Sequence, residues 1–285
     1  MDQKIIDLYD DFTHDRLSRR AFIKKLSTLV GGTAAAYSIL PLLKNNYAQA
    51  AIISETDPRL EIATTTFPGV GTSVSGYLAK PKGGKNLPSV VVIHENRGLN
   101  PHIKDIARRL AAEGFLALAP DMLSPVGGTP GDEDKARTMI RALDKAATLK
   151  HLLGAVPFLA AHKDGSGKVG CIGFCWGGAM ANNMAVNSAD LKGAVAYYGR
   201  QPKAPDVAKI KARLLLHYGG LDKRINAGIA DFEAALKAAK VNYQKHVYDG
   251  ANHAFNNDTN AARYNPEAAT LSWGRTVAFL KETLA

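Results

Sequence analysis

One short segment constrains the architecture more than any other: residues 169–180 read VGCIGFCWGGAM. Apolar Val169, Cys171 and Ile172 lead into Gly173-Phe174-Cys175-Trp176-Gly177, another glycine stands behind, and small residues dominate 179–185. The pattern predicts a strand, a tight turn and a helix, with Cys175 at the apex. So sharp a turn brings backbone segments close together and leaves no room for side chains on either side, which is why glycines flank it. A nucleophile raised in this way needs a sheet beneath it and a helix behind it.

The chain has 285 residues, 46% hydrophobic and 22% charged, which fits a folded α/β protein with a sizeable core. Its only cysteines are Cys171 and Cys175, so a disulfide framework is excluded. The net charge is +10, but the basic residues are scattered and no nucleic-acid motif occurs, so no nucleic-acid partner is expected. No internal repeat or low-complexity tract is present.

The first fifty residues differ in character from the rest. A basic segment precedes an apolar stretch of about 18 residues over 26–43, and Ala48-Gln49-Ala50 then offers a small-x-small cleavage site. Ser18-Arg19-Arg20-Ala21-Phe22-Ile23-Lys24 resembles a twin-arginine export signal. Residues 1–50 are therefore expected to be a leader handled by the twin-arginine export machinery, with residues 51–285 forming one domain. The expected location is the periplasm or beyond, with membrane anchorage if the leader is retained. Gly31, Gly32, Thr33, Ser38 and Pro41 weaken a membrane-spanning reading. Removal of the leader lowers the net charge from +10 to +8, so the remaining domain is still basic.

Along that domain, strand and helix patterns alternate. An irregular stretch over 51–59 leads to two strands, RLEIATTTF and SVSGYLAKP. SVVVIHE, residues 89–95, is a continuous β-branched run suited to a strand buried on both faces. Then come an amphipathic helix over 102–114, the strand FLALAP, a Gly- and Pro-rich loop, and a long helical stretch expected to break near Gly154 or Pro157. The elbow strand, GAVAYYG, RLLLHYGG, a helix over 227–240, NYQKHVYDG and a helix from about Pro266 complete the order. Short glycine-containing connections argue for a mostly parallel sheet with helices on both faces. The order fits the α/β-hydrolase fold.

In such sheets function collects at the carboxyl ends of the strands. There stand His94-Glu95, Cys175, Asp222 and His253, and nucleophile, acid and histidine follow one another in the chain order this fold uses. A free thiol has a pKa of about 8.5 and needs activation at neutral pH. His253 is placed to accept its proton, Asp222 to orient the imidazole, and the helix N-terminus after Cys175 to favour the thiolate. The backbone N–H groups of Trp176 and Asn96 are the candidate oxyanion donors. His94 reads as structural. HENRG lacks the second histidine of a metalloprotease motif, so neither metal nor cofactor is expected.

The segments VVVIHENRGLN, LAPDM, VGCIGFCWGG, VAYYG, LLLHYGGLD and GANHAF resemble the dienelactone hydrolase (carboxymethylenebutenolidase) family over about residues 60–285. The resemblance implies thiolate attack on a lactone or ester carbonyl by a Cys175–Asp222–His253 triad, with Glu95 gating the thiol. Family members that open dienelactone hold its carboxylate with arginines in two loops. Here DMLSPVGGTPGDED contains no arginine, and the first after His253 is Arg263. Arg97, Arg200 and Arg224 near strand ends are the substitutes, with Tyr198 as a pocket-lining residue. The expected partner is a small lactone or ester. The rival readings are a general carboxylesterase with the same triad, a non-catalytic binder of small anions, and a redox protein cycling a Cys171–Cys175 disulfide. The oligomeric state is not legible in the sequence.

Overall fold

The computed structural model describes residues 1–14, 16–47 and 51–285; the small-x-small site at 48–50 lies outside the described residues. Eight strands form one sheet: β1 (Leu60–Pro68), β2 (Ser73–Pro81), β3 (Leu87–Ile93), β4 (Leu116–Pro120), β5 (Gly165–Phe174), β6 (Gly193–Tyr197), β7 (Arg213–Gly219) and β8 (Tyr243–Tyr248). Their order across the sheet is β1-β2-β4-β3-β5-β6-β7-β8. Only β1 with β2 and β2 with β4 pair antiparallel; from β4 onward every pairing is parallel. The long helices of the domain are α4 (Pro101–Ala112), α5 (Glu133–Ala142), α6 (Lys145–Ala160), α7 (Trp176–Asn187), α9 (Ile229–Ala238) and α10 (Pro266–Leu284), with the one-turn α8 (Lys223–Asn226) before α9.

The two faces of the sheet bury two separate cores. Val91, Ile93, Cys171, Leu214 and Leu216 face α6, α7 and α9, while Val90, Val92, Ile172, Phe174 and Leu215 face α4 and α10. Successive residues of β3, β5 and β7 thus feed opposite cores, the two-residue period of a strand covered on both sides. Such a sheet is the two-faced layer architecture that the β-branched runs predict.

The long helical stretch breaks elsewhere than expected. It divides at Leu143–Asp144, where the Asp144 side chain accepts from Ala147 N and caps α6, and α6 then runs unbroken through Gly154 and Pro157. Pro157 lies in the last turn, so the hydrogen bond it withholds is one of few remaining. Gly154 packs directly on β1, where a Cβ would lie 2.6 Å from the Pro68 carbonyl oxygen. Burial of Leu152, Ala155, Val156 and Leu159 holds the helix in place.

Ahead of the sheet, α1 (Gln3–Thr13), α2 (Arg19–Val30) and α3 (Thr33–Leu43) form a small layer of their own. Its core contains Tyr9, Phe22, Leu26, Ala36 and Leu43, with Phe12 stacked on Phe22 at a centroid distance of 4.6 Å. No single helix among the described residues is long and apolar enough to cross a membrane. Taken together α2 and α3 would be, but they meet at a bend of 109°. The layer rests on the carboxyl ends of the strands.

Candidate active site

Strand register sets the site. Gly173 pairs with Ile93 on one side and Ala196 on the other, and Phe174 pairs with Tyr197. The residues just beyond these strands, His94, Cys175 and Tyr198, therefore emerge along one edge. Tyr197 in turn pairs with His217 of β7, and β7 pairs with β8, which brings the loops carrying Asp222 and His253 to the same edge.

The elbow takes the conformation that its glycines predict. Cys175 has φ 57° and ψ −112°, a strained geometry for a residue with a side chain, and α7 begins at the next residue. A Cβ on Gly173 would lie 1.9 Å from the Gly177 carbonyl oxygen, and one on Gly177 would lie 2.3 Å from that of Ile93. Neither position accepts any other residue without moving backbone. The Cys175 N–H donates to the Tyr197 carbonyl and fixes the turn on β6.

Asp222 and His253 meet at this edge. His253 Nδ1 is 2.5 Å from Asp222 Oδ2, and Asp222 Oδ1 accepts from Ile225 N to cap α8. Both side chains are buried. Burial would lower the His253 pKa, but the charges of Asp222, Asp10 and Cys175 raise it to about 10. Burial would likewise raise the Cys175 thiol, yet the neighbouring His253 and His14 bring it down to about 5. Burial opposes ionisation of Asp222 too, and the imidazole of His253 wins, holding that carboxyl below its usual range. These directions favour a thiolate beside an imidazolium.

The remaining expected residues divide. Trp176 opens α7 directly behind the nucleophile, and its ring stacks on His94. His94 is structural: Nδ1 lies 2.6 Å from the Glu95 carbonyl oxygen and Nε2 accepts from Met122 N. Glu95 is fully buried, accepting from Asn257 Nδ2 at 3.0 Å with Arg97 NH1 3.9 Å away, so here it makes no hydrogen bond to the thiol. Tyr198, at φ 41°, puts its ring 4.9 Å from that of His253 and leaves its buried hydroxyl without a partner. Arg224 NH2 lies 3.3 Å from His253 Nδ1, and Arg200 lines the cavity in front of Cys175. Arg97 and Arg263 are buried outside that lining and face the N-terminal helices.

Two site residues escape the sequence reading. His14 Nε2 sits 3.4 Å from Cys175 Sγ, and Asp10 holds the other side of that imidazole through its carbonyl, 2.8 Å from Nδ1. Their i, i+4 spacing places both on one helix face, a signal legible in the sequence but easily read as ordinary helix chemistry. Cys171, by contrast, points to the opposite core from Cys175, is fully buried and is a free thiol, so the sheet lies between it and the elbow. Burial pushes the Cys171 pKa up, away from reactivity.

A cavity of about 490 Å³ adjoins the thiol. Arg16, Arg137, Arg141, Lys145, Arg200 and Arg224 contribute to its lining, and no acidic side chain among the described residues does. The donor atoms of His14, Cys175 and His253 lie within 4.8 Å of one another, close enough for a metal ion. Arg16, Arg137 and Arg224 each pair with an aspartate outside the lining, and Arg200 and Lys145 add basic charge that favours an anion in the cavity.

Sheet topology, elbow and acid–histidine pair define a hydrolase of the α/β-hydrolase fold. The family model of the dienelactone hydrolase family matches residues 74–284, and the chain belongs to that family. A relative from Escherichia coli (strain K12), provisionally named a carboxymethylenebutenolidase, is 32% identical over 249 residues, covering 82% of this chain and 91% of its own. A relative of the same provisional name from Saccharolobus solfataricus is 33% identical, covering 74% and 95%. The solved structure of a provisional dienelactone hydrolase from Klebsiella pneumoniae superposes with a TM-score of 0.71 at 32% identity, covering 78% of this chain and 98% of its own. Residues 1–31 separately match a family model described as YqhI-like.

Proposed function

We propose that this hydrolase opens lactones or cleaves small esters that carry negative charge, with Cys175 as nucleophile. The observation that carries the reading is a buried thiol at a strained elbow, within 4.8 Å of an imidazole that the buried Asp222 carboxylate holds at 2.5 Å, an arrangement that lowers the pKa of the thiol and raises that of the imidazole.

In the reaction, Cys175 Sγ attacks the acyl carbon, and the carbonyl electrons move onto oxygen. That oxyanion is received by the N–H of Trp176 at the start of α7 and the N–H of Asn96 after β3. His253 gives its Nε2 proton to the departing oxygen as the carbon–oxygen bond breaks, leaving a thioester. In a lactone the leaving hydroxyl stays tethered to the acyl group. A water then attacks the thioester, loses its proton to His253, and releases the carboxylic acid and the thiolate. Asp222 holds Nδ1–H throughout and stabilises the imidazolium.

Glu95 takes the gating role that the family implies. It lies near the nucleophile, since burial, Glu95 and Cys175 together push the Tyr198 hydroxyl upward. Turned from Asn257 toward Sγ, its carboxylate would disfavour the thiolate until substrate displaces it. The cavity's basic lining supports an anionic substrate, with Arg200 and Arg224 as carboxylate-binding groups. A general carboxylesterase with the same triad is the second reading, favoured by the absence of an arginine from residues 121–134.

Residues 1–50 serve in this reading as a twin-arginine leader that takes the enzyme to the periplasm. Arg19 and Arg20 support it: both are exposed, at the start of α2 and ahead of the apolar α3.

The test is hydrolysis of an activated neutral ester, an activated anionic ester and a dienelactone by residues 51–285, freed of the N-terminal helices, and by the same segment with Cys175→Ala. Loss of turnover in the variant, with preference for the anionic substrates, is expected. Equal turnover in both proteins would remove the triad reading.

A further inference from the structure

The groups that a substrate would meet are occupied by the protein's own N-terminus. The Asp10 carboxylate lies 3.5 Å from Arg224 Nε and 3.6 Å from Arg263 NH1. Asn96 Nδ2 donates to the Thr13 carbonyl at 2.9 Å, and Arg97 NH2 donates to the Tyr9 hydroxyl at 3.4 Å. His14 lies against the thiol itself. All of these partners come from α1 and the residue that follows it, while the arginines are those nominated for substrate binding and Asn96 is the residue whose backbone N–H is the candidate oxyanion donor.

The contact crowds the catalytic pair. Sγ of Cys175 lies 3.4 Å from His14 Nε2, and His14 thereby shares the thiol with His253, whose donor atom lies within 4.8 Å of both. With His14 covering its outer side, Cys175 is only 9% exposed. The charge pattern is also that of a filled site, because the Asp10 carboxylate lies against Arg224, which lines the basic cavity, and against the buried Arg263.

We propose that residues 3–14 are an intramolecular plug that keeps the full-length chain latent, with the Asp10 carboxylate occupying an anion site on Arg224 and Arg263 and His14 occupying the thiol. The inference rests on the reading of Cys175 as nucleophile. Two events would release the plug: loss of the N-terminal segment, or competition from an anionic ligand for the two arginines. Leader and catalytic site are then one device, in which the enzyme stays closed for as long as the leader is attached.

The test uses the full-length chain and its Asp10→Asn/His14→Ala double variant. Alkylation of Cys175 by iodoacetate and by iodoacetamide is followed by peptide mass at about pH 9, where either protein holds its thiol largely as thiolate. Buried Cys171 is the internal control for folding. The plug predicts at least about tenfold faster reaction of the variant with iodoacetate, exceeding the gain with neutral iodoacetamide, and faster turnover of an activated anionic ester. An unchanged or slower iodoacetate rate overturns the plug, and a gain no larger than that with iodoacetamide overturns the anion site. Slower ester turnover despite faster alkylation overturns latency and makes His14 a participant in catalysis. If alkylation accelerates as expected while neither protein hydrolyses any ester, the hydrolase reading falls and the plug stands.

Discussion

His253 Nδ1 and Asp222 Oδ2 stand 2.5 Å apart, while the other oxygen of the same carboxylate caps α8 through Ile225 N. One carboxylate thus orients the imidazole and is itself held by a helix terminus, so the pair arrives rigid. Replacement of Asp222 by Asn keeps the shape and removes the charge that selects the tautomer. Ester turnover by Asp222→Asn is expected to fall by about two to four orders of magnitude, with the fold retained by circular dichroism and thermal unfolding lowered because a buried charge pair is broken. Turnover within a factor of three of wild type would mean that another group orients His253.

Protonation of the site gives a second prediction. With the thiol at about 5 and His253 at about 10, the ion pair persists across the intervening range. Alkylation of Cys175 by iodoacetamide should rise as pH climbs through about 5, because the thiol then loses its proton. It should stay flat through neutrality. The imidazolium that stabilises the thiolate is lost as pH rises through about 10, so turnover, which needs that proton for the leaving group, should decline there. The two groups titrate as a coupled pair, so the inflections belong to the pair. A single inflection near 8.5, the value of an ordinary thiol, would show that neither imidazole acts on Cys175.

The elbow makes a third prediction, independent of substrate. Gly173→Ala and Gly177→Ala each force a Cβ into backbone, against Gly177 and Ile93 respectively. Backbone cannot rotate away as a side chain can, so each variant should lose at least about 1–3 kcal/mol of stability. Denaturant midpoints would measure it, and Gly274→Ala is the control, since nothing lies within 4 Å of a Cβ there.

The leader is tested by location. Arg19→Lys together with Arg20→Lys should leave the protein in the cytoplasm while wild type reaches the periplasm, as fractionation and immunoblotting would read. Arg19 pairs with Asp134 at the surface, where lysine keeps the charge, so the variant should fold normally. Equal periplasmic recovery of the two proteins would refute twin-arginine export.

Much of the fold was written in local pattern. The β-branched run ending at Ile93, the glycines around Cys175 and the turns after β7 and β8 each have a steric meaning that needs no distant partner. From them follow the parallel sheet, the elbow, and the placement of Asp222 and His253 at the same edge. Their pairing was legible because this sheet brings all its carboxyl ends together. The expected break in α6 failed because Gly and Pro weaken a helix by a few kcal/mol at most, and packing against β1 outweighs that.

What tertiary structure alone decided is which partner each charged group takes. Glu95 turned to Asn257 and Arg97, and Arg224 and Arg263 found Asp10. His14, more than 160 residues before the nucleophile, became a hydrogen-bonding neighbour of its thiol. Local sequence fixes backbone conformation because sterics act between adjacent residues. Charges and thiols respond to whatever the finished fold places within a few ångströms, and that depends on contacts between segments far apart in the chain.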